Sequence, residues 1–262
     1  MNPPFNPREI EQDLRENGVS WVQCPEYFES IDSSNDYLLG LPDSLHGRVC
    51  ICDYQTRGKG RLGKQWHSSA GLNLMFSLGW VPSKALSSEV SLVVGVALAD
   101  ALKRMGVEGI GLKWPNDIQH DGRKLAGVLV ESRVRGRRAE LVIGVGLNVQ
   151  HQPGDMAAVD QPWTDLRQLG LSNISRQQLL TRILIELARR LEQLETQGFR
   201  PIREDWLAYH AYQGTTMNYC YQGENREGKV VGLDVRGALL FEFNGEQVAV
   251  SSGEVSRLRA QL

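Results

Sequence analysis

Three strand-like runs lie close together in the middle of the chain: GIGLKWPNDIQ at 109–119, KLAGVLVES at 124–132 and AELVIGVGLNV at 139–149. Each is rich in valine, isoleucine and leucine, which favour β-strands. A basic run at 133–138, with Gly136 near its centre, joins the last two. Its four arginines suggest nucleic-acid binding, but a glycine turn between two apolar strands is typical of a solvated hairpin. The pattern therefore predicts neighbouring strands of one sheet.

Two long helices are predicted on either side of these strands. From Ser88 to Met105, apolar residues recur at the spacing of one helix face, and Gly106 suits the position just after the helix. The segment SRQQ at 175–178 is a capping box, and a stripe of leucine and isoleucine continues from it towards Gly198.

The chain changes character at about residue 214. From there, strand-like runs alternate with glycine and Asn-Gly turns, as in a small barrel. We therefore predict an α+β protein with two unequal domains: a mixed-sheet domain at 1–213 with helices packed on it, and a small β-barrel at 214–262.

Composition excludes several classes of protein. The 262 residues are 41% hydrophobic and 23% charged with a net charge of −2, which gives no overall attraction to nucleic acid or membranes. The first residues lack the basic and then apolar pattern of a secretion signal, and no apolar run reaches membrane-spanning length. We therefore expect a cytoplasmic protein with no membrane partner.

Cysteine and histidine residues give no sign of a metal centre. The cysteines lack a C-x-x-C pair, and the histidines lack the spacing of zinc ligands, which argues against a zinc hydrolase. We expect buried, reduced thiols at the four cysteines, Cys24, Cys50, Cys52 and Cys220.

A glycine-rich basic segment, QTRGKGRLGKQW at 55–66, is the sharpest local feature. Its four cations are Arg57, Lys59, Arg61 and Lys64, and no acidic residue occurs from Tyr54 through Ser88. We infer that these cations are available to an anionic ligand, which the glycines allow to approach the backbone closely.

Two well-known phosphate-binding motifs fit these letters but fail on context. The pattern G-x-G-x-x-G would have to begin a helix and be followed by an acid about twenty residues later, and neither condition holds. The pattern G-x-x-x-x-G-K of a P-loop needs a hydroxyl residue next, where this chain has Gln65. The segment is therefore predicted to bind phosphate or carboxylate by another architecture.

Four ordered motifs resemble those of biotin–protein ligases. They are GKGRLGKQW at 58–66, KWPND at 113–117, KLAG at 124–127 and GVGLN at 144–148. The resemblance extends from IDSSN at 31–35 to GEVS at 253–256. It implies a mixed-sheet domain like those of class II synthetases and lipoate ligases, followed by a small SH3-like barrel.

The chain departs from this family pattern in two ways. Lys59 replaces the usual first arginine, and Leu62 with Lys64 reduces the positive charge, which we expect to change affinity or retention of the intermediate while keeping Arg61. Only about thirty residues precede Ile31, too few for the N-terminal DNA-binding module of some relatives. DNA binding is therefore not expected.

The resemblance implies a two-step reaction. The biotin carboxylate first attacks the α-phosphate of ATP, and a carrier lysine then attacks the acyl-adenylate. Fixed cations are needed where these anions meet. The residues assigned to catalysis are Arg61, Lys124 and Asp117, of which Asp117 would either hold Mg²⁺ or orient a lysine.

The same resemblance implies binding residues and partners. Those for biotin are Ser33, Ser34, Asn35, Gln55, Lys59, Gly60, Arg61 and Lys124. Those for the nucleotide are Lys59, Arg61, Trp66, Lys113, Asn116, Asn148 and Trp163, the last on a loop from His151 that would order over the nucleotide. The expected substrates are biotin and ATP with Mg²⁺, whose protein ligands are not assigned. The expected partner is the biotin carboxyl carrier protein domain of acetyl-CoA carboxylase, and a homodimer is one option.

Two alternatives stay open at this point. A lipoate–protein ligase-like acyl transfer would need an R-R-x-x-G-G-G-x-V-x-H-D string, which the sequence lacks. A non-catalytic biotin-sensing regulator would not need Arg61 and Lys124. For the ligase, we predict that the 57–66 segment is disordered in the free protein and orders on binding biotin and nucleotide.

Overall fold

The computed structural model describes residues 5–84, 89–151, 159, 161–221, 224–243, 245–251 and 255–257. Within these ranges the helices are α1 (Pro7–Glu16), α2 (Ser34–Leu39), α3 (Glu89–Arg104), α4 (Arg176–Gln197) and α5 (Phe199–Tyr209). The strands are β1 (Glu26–Ile31), β2 (Val49–Gln55), β3 (Asn73–Trp80), β4 (Ile110–Lys113), β5 (Asp117–His120), β6 (Arg123–Arg135), β7 (Arg138–Asn148), β8 (Thr216–Tyr221), β9 (Glu224–Leu233), β10 (Leu239–Phe243), β11 (Glu246–Val250) and β12 (Val255–Arg257).

The strands form two sheets. The larger has seven strands in the order β1-β2-β3-β7-β6-β5-β4, and only its β1–β2 pair is parallel. The smaller is antiparallel, in the order β11-β10-β9-β8-β12. The predicted α+β class with a mixed sheet and a small C-terminal β unit is confirmed, while the boundary at residue 214 stays a prediction.

Both predicted long helices are present. α3 spans Glu89–Arg104, so its predicted start at Ser88 lies outside the described residues. α4 begins with the predicted capping box, in which the Ser175 and Gln178 side chains bond to each other's backbone N–H groups. Most of α3 is buried because it lies between the sheet and the two helices α4 and α5.

The pattern analysis missed shorter helices. α1 has the Asn6 side chain as its N-cap and a proline in its first turn, and it buries only Ile10 and Leu14. α5 starts directly after Gly198, whose φ of +76° lets one residue end α4 and begin the next helix. Because Gly198 was interpreted only as an end, α5 was not predicted.

The solvated-hairpin interpretation of 133–138 is right for most of the run and wrong for Arg133. β6 and β7 are joined by a two-residue turn, and Gly136 there has a φ of +63°. Arg135, Arg137 and Arg138 are exposed. Arg133 instead pairs with the buried carboxylate of Glu140 at 2.7 Å, which the sequence pattern did not indicate.

The large core lies between the seven-stranded sheet and the helices α1, α3, α4 and α5, and it continues into the smaller sheet at residues such as Tyr219 and Phe241. α2 packs on β2, β3 and β7 over a small separate cluster of Leu38, Leu45, Cys50 and Val142.

Cys50 and Cys52 are buried and free, as predicted, whereas Cys24 is exposed. The Cys220 side chain lies outside the described residues. In the described part of the chain, no helix combines the length and hydropathy needed to span a membrane.

Candidate functional site

A cavity of about 650 Å³ lies beside α2, and every residue predicted for binding or catalysis lines it. These residues are Ser33, Ser34, Asn35, Gln55, Lys59, Gly60, Arg61, Trp66, Lys113, Asn116, Asp117, Lys124, Asn148 and Trp163. Arg61 and Lys124 therefore share one cavity, although 63 positions separate them in the sequence.

Glycines form the floor of this cavity. Gly144, Gly146 and Asn148 occupy alternate positions of β7, so they lie on the same face of the sheet. An ideal Cβ on Gly144 would lie 2.4 Å from Asn35 Oδ1, and one on Gly146 would lie 2.4 Å from the Trp66 ring. The GVGLN motif is thus explained by two side chains that need the space above β7.

Lys124 and Asp117 form an ion pair at one wall of the cavity. Lys124 Nζ lies 2.7 Å from Asp117 Oδ1, and both side chains are mostly buried. The same ammonium lies 5.7 Å from the centre of the Trp66 ring. Of the two roles considered for Asp117, this geometry matches orientation of a lysine.

A short backbone bridge brings Trp163 to the cavity. The Lys124 N–H donates to Pro162 O at 2.9 Å, and the Thr164 N–H donates to Lys124 O at 2.9 Å. The Trp163 and His151 rings meet edge to face, with their centroids 4.9 Å apart. The loop predicted to order over the nucleotide lies mostly outside the described residues, which omit 152–158 and 160.

The amide groups of Asn116 and Asn148 serve the protein backbone. Asn116 Nδ2 donates to Val128 O at 2.7 Å, and Asn148 Nδ2 donates to Thr164 O at 3.0 Å. Asn148 Oδ1 is buried and has no hydrogen-bond partner among the described residues. A buried acceptor without a partner is costly, so Asn148 Oδ1 is the atom that a bound donor would satisfy.

Three of the predicted biotin-binding residues, Ser34, Asn35 and Gln55, belong to one polar network, and Ser33 lies beside it. Ser33 caps α2 by accepting from the Asp36 N–H at 3.3 Å. The Ser34 N–H donates to Gln55 Oε1 at 2.9 Å. Asn35 Nδ2 donates to Glu131 Oε2 at 2.8 Å.

Ser77 completes this network and was missed by the sequence analysis. Its Oγ lies 2.7 Å from Ser34 Oγ and 2.6 Å from Asn35 Oδ1, and the residue is fully buried. Ser77 pairs with Gly144 across β3 and β7. A serine in the middle of an apolar run, directly across from a glycine of the neighbouring strand, is the signal that could have identified it.

The basic segment folds as a small hairpin. The Gly60 N–H donates to Lys64 O at 2.7 Å, and the Trp66 N–H donates to Gly58 O at 3.0 Å. Leu62, with φ of +55°, stands at the exposed tip beside a glycine of similar conformation. The hairpin turns Arg61 and Trp66 into the cavity lining.

The inference that the loop cations are available because they lack nearby acids is wrong for two of them. Lys59 Nζ lies 2.5 Å from Asp36 Oδ1, and Arg57 lies 3.3 Å from Asp32. The hydrogen bond to Asp36 raises the pKa of Lys59. Acids distant in sequence, Asp36 on α2 and Asp32 just before it, thus hold the loop against this part of the chain.

The cavity nevertheless has an excess of positive charge. Asp117 is its only acidic residue among the described lining residues. The basic lining residues are Lys59, Arg61, Lys64, Lys113 and Lys124. Such a lining attracts anions such as carboxylate and phosphate. Within the described residues, no cluster of three histidine, cysteine, aspartate or glutamate side chains could hold a metal ion.

Comparison with known proteins gives consistent matches. The model of the Biotin/lipoate A/B protein ligase family matches residues 27–148. The bifunctional ligase/repressor BirA of Escherichia coli is 34% identical over 235 residues, which cover 88% of this chain and 73% of that protein. The biotin–[acetyl-CoA-carboxylase] ligase of Mycobacterium tuberculosis is 30% identical over 269 residues, which cover 99% of this chain and 98% of that protein.

A solved structure agrees with these sequence matches. The biotin protein ligase from Aquifex aeolicus, in complex with biotin and ATP, has a TM-score of 0.79 to this chain at 26% identity. The match covers 88% of this chain and 97% of that one. The likeness therefore extends over most of this chain.

Proposed function

The chain belongs to the biotin/lipoate A/B protein ligase family, and on this premise we propose that it is a biotin–protein ligase. It activates biotin with ATP to biotinyl-5′-AMP, releasing pyrophosphate. It then transfers biotin to a lysine of a biotin carboxyl carrier protein domain. The observation that carries this proposal is the single cavity, rich in basic residues, that Arg61 and the Lys124–Asp117 pair both line.

In the first step, an oxygen of the biotin carboxylate attacks the α-phosphorus and pyrophosphate leaves. Both reactants are anions, so the barrier falls when fixed cations cancel the charge that develops between them. Arg61 supplies a planar fork for two oxygens, and Lys124 supplies a point charge held in place by Asp117.

In the second step, the neutral amine of the carrier lysine attacks the acyl carbon, AMP leaves with the bonding electron pair, and the nitrogen gives up a proton to water to form the amide. Lys124 then stabilises the departing phosphate. Because Asp117 and Trp66 restrict its position, the ammonium stays near the reacting atoms in both steps.

Biotin itself is neutral apart from its carboxylate, so its ureido ring requires paired donors and acceptors. Ser34 and Gln55 are the side chains proposed to supply them. Asn35 has its amide nitrogen on Glu131 and its amide oxygen near Ser77, and we assign it to holding this network together. Asn148 Oδ1 and the rings of Trp66 and Trp163 are proposed to bind the adenine.

Mg²⁺ is proposed to arrive with the triphosphate. The described cavity lining offers one carboxylate, Asp117, and Lys124 already occupies it. Mg²⁺ commonly keeps several waters and binds substrate phosphates with few protein ligands, which this lining suits. The ion would reduce the negative charge of the pyrophosphate that leaves.

The homodimer and the cytoplasmic location stay predictions.

The proposal is tested by following both half-reactions. The protein is incubated with labelled biotin and Mg²⁺-ATP, and pyrophosphate release is measured. A biotin carboxyl carrier domain is then added, with a version lacking the acceptor lysine as the control. Label should become covalently bound only to the intact carrier. Parallel reactions with lipoate test the acyl-transfer alternative.

Pyrophosphate release and label transfer with biotin alone would support the biotin ligase. Transfer of lipoate in preference to biotin would replace it with the lipoate alternative. Biotin binding without pyrophosphate release would indicate the non-catalytic sensor.

A further inference from the structure

Arg133 connects the β6–β7 hairpin to the end of α2. Its guanidinium donates hydrogen bonds to three main-chain carbonyls, those of Leu39, Leu41 and Asp43. The same group pairs with Glu140 at 2.7 Å. The side chain of Arg133 is 20% exposed and that of Glu140 only 4% exposed. Solvent therefore screens the attraction between their charges poorly.

The chemistry of a helix end explains why an arginine suits this position. The last carbonyls of a helix have no partner within the helix, and a cation there also interacts favourably with the helix dipole. A guanidinium presents several donors in a rigid plane, so it can satisfy several carbonyls and a carboxylate together. Arg133 therefore anchors the C-terminal end of α2, through Leu39 in the helix and through Leu41 and Asp43 in the segment that follows it.

The position of α2 matters because its other end lines the cavity. The helix has six residues, too few to be stable in isolation, so contacts with the rest of the protein must fix it. Ser34 and Asn35 form its first turn and face the cavity. A shift at the Leu39 end would move both side chains.

We propose that Arg133 is a positioning residue for biotin, acting through α2 on Ser34 and Asn35. Arg133 is absent from the cavity lining, so its effect is indirect. The inference rests on the proposed function only in naming biotin as the ligand. It predicts a selective effect, because Lys124 and Asn148 lie at the opposite ends of β6 and β7 from the Arg133–Glu140 pair, where the strand ladder holds them. Trp66 lies on the basic segment, outside both strands.

The test compares a double variant with a matched control. Arg133→Met combined with Glu140→Gln removes the guanidinium without leaving a buried carboxylate unpaired. Arg138→Met removes an exposed arginine from the same hairpin. For each protein, calorimetry gives the Kd for biotin and for ATP. Amide hydrogen exchange over 34–40 reports the stability of α2.

The double variant should raise the biotin Kd about tenfold while the ATP Kd changes less than about twofold. Exchange over 34–40 should accelerate, and Arg138→Met should behave as the parent. The proposal would be overturned by an unchanged biotin Kd, or by equal losses of affinity for biotin and for ATP. An unchanged rate of amide exchange over 34–40 would also overturn it.

Two further controls keep the result interpretable. If the double variant does not fold, Arg133→Lys keeps the charge and loses the planar fork, and the same selective loss is required of it. If the parent protein binds no biotin, the proposed function fails. Exchange over 34–40 then still decides whether Arg133 anchors α2.

Discussion

The indole of Trp66 occupies the space that a side chain at position 146 would fill. An ideal Cβ on Gly146 would lie 2.4 Å from Trp66 Cε2, far inside the contact distance of about 3.5–4.0 Å for two carbon atoms. Gly127, the cross-strand partner of Gly146, would also bring a Cβ within 3.2 Å of this ring. Two glycines of adjacent strands therefore seat the tryptophan that ends the basic segment.

Gly146→Ala should lower ATP affinity by displacing Trp66. The added methyl group forces the indole away from β7, and we expect the ATP Kd to rise about tenfold. Calorimetric titration with a non-hydrolysable ATP analogue measures it. Gly95→Ala is the matched control, because its Cβ would meet Leu112 at an ordinary 3.5 Å. Equal ATP affinities for both variants would contradict this account of Trp66.

Lys124→Ala should suppress adenylation far more than biotin binding. Removing one preorganised charge from a developing anion costs about 100- to 1,000-fold in rate. Biotin affinity should fall less than about tenfold, because Ser34 and Gln55 remain. Single-turnover pyrophosphate release and biotin titration separate the two effects. Lys103→Ala, at an exposed position, is the control. An unchanged rate of pyrophosphate release from Lys124→Ala would show that Lys124 has no catalytic role.

Ser77→Ala should weaken biotin binding although Ser77 is not part of the cavity lining. The change leaves Asn35 Oδ1 buried without its 2.6 Å partner, a loss of about 1–2 kcal/mol. We expect the biotin Kd to rise about tenfold with little change in the ATP Kd. Equilibrium dialysis with labelled biotin provides the measurement. Ser132→Ala, at an exposed position on β6, is the control and should leave the biotin Kd unchanged. An unchanged biotin Kd for Ser77→Ala would show that the network does not contribute to biotin binding.

The sequence predicted those parts of the fold that depend on neighbours in the chain. The capping box at 175–178 and the apolar stripe of α4 involve residues within a few turns of one another. Their pattern can therefore be recognised in the amino-acid sequence alone. The β6–β7 hairpin was equally visible, since a glycine turn separates two apolar runs. The four motifs located the cavity because each contributes lining residues.

The remaining features depend on contacts between distant residues. Ser77 meets Asn35 across 42 positions, and Arg133 meets Leu39 across 94. Neither partner can be identified from local periodicity, and the sequence places Arg133 among exposed arginines. The Lys59–Asp36 pair joins the loop to a helix in the same way. Local charge counting therefore failed to predict it.

The basic segment should exchange its amide hydrogens faster without ligands than with them. Only a few backbone hydrogen bonds hold 58–66 together, and the Lys59–Asp36 and Arg57–Asp32 pairs are partly exposed and therefore weak. Biotin with an ATP analogue should slow exchange over 57–66 at least about tenfold. Amides of β3 provide the internal control. Equal protection in both states would show that Asp32 and Asp36 already order the loop.

His210 should make folding sensitive to mild acid. Burial lowers its pKa to about 4 from 6.5, and the nearby Gln213 offsets this only in part. As the pH falls below about 6.5, His210 becomes protonated in the unfolded chain but not in the folded chain. The free energy of unfolding therefore decreases until about pH 4. The loss amounts to roughly 3 kcal/mol over that window. His210→Gln removes this proton uptake, so thermal unfolding of the variant should change less between pH 7.5 and pH 5 than that of the parent. Parallel pH profiles for the two proteins would mean that the imidazole is protonated equally in both states, contrary to the burial that lowers its pKa.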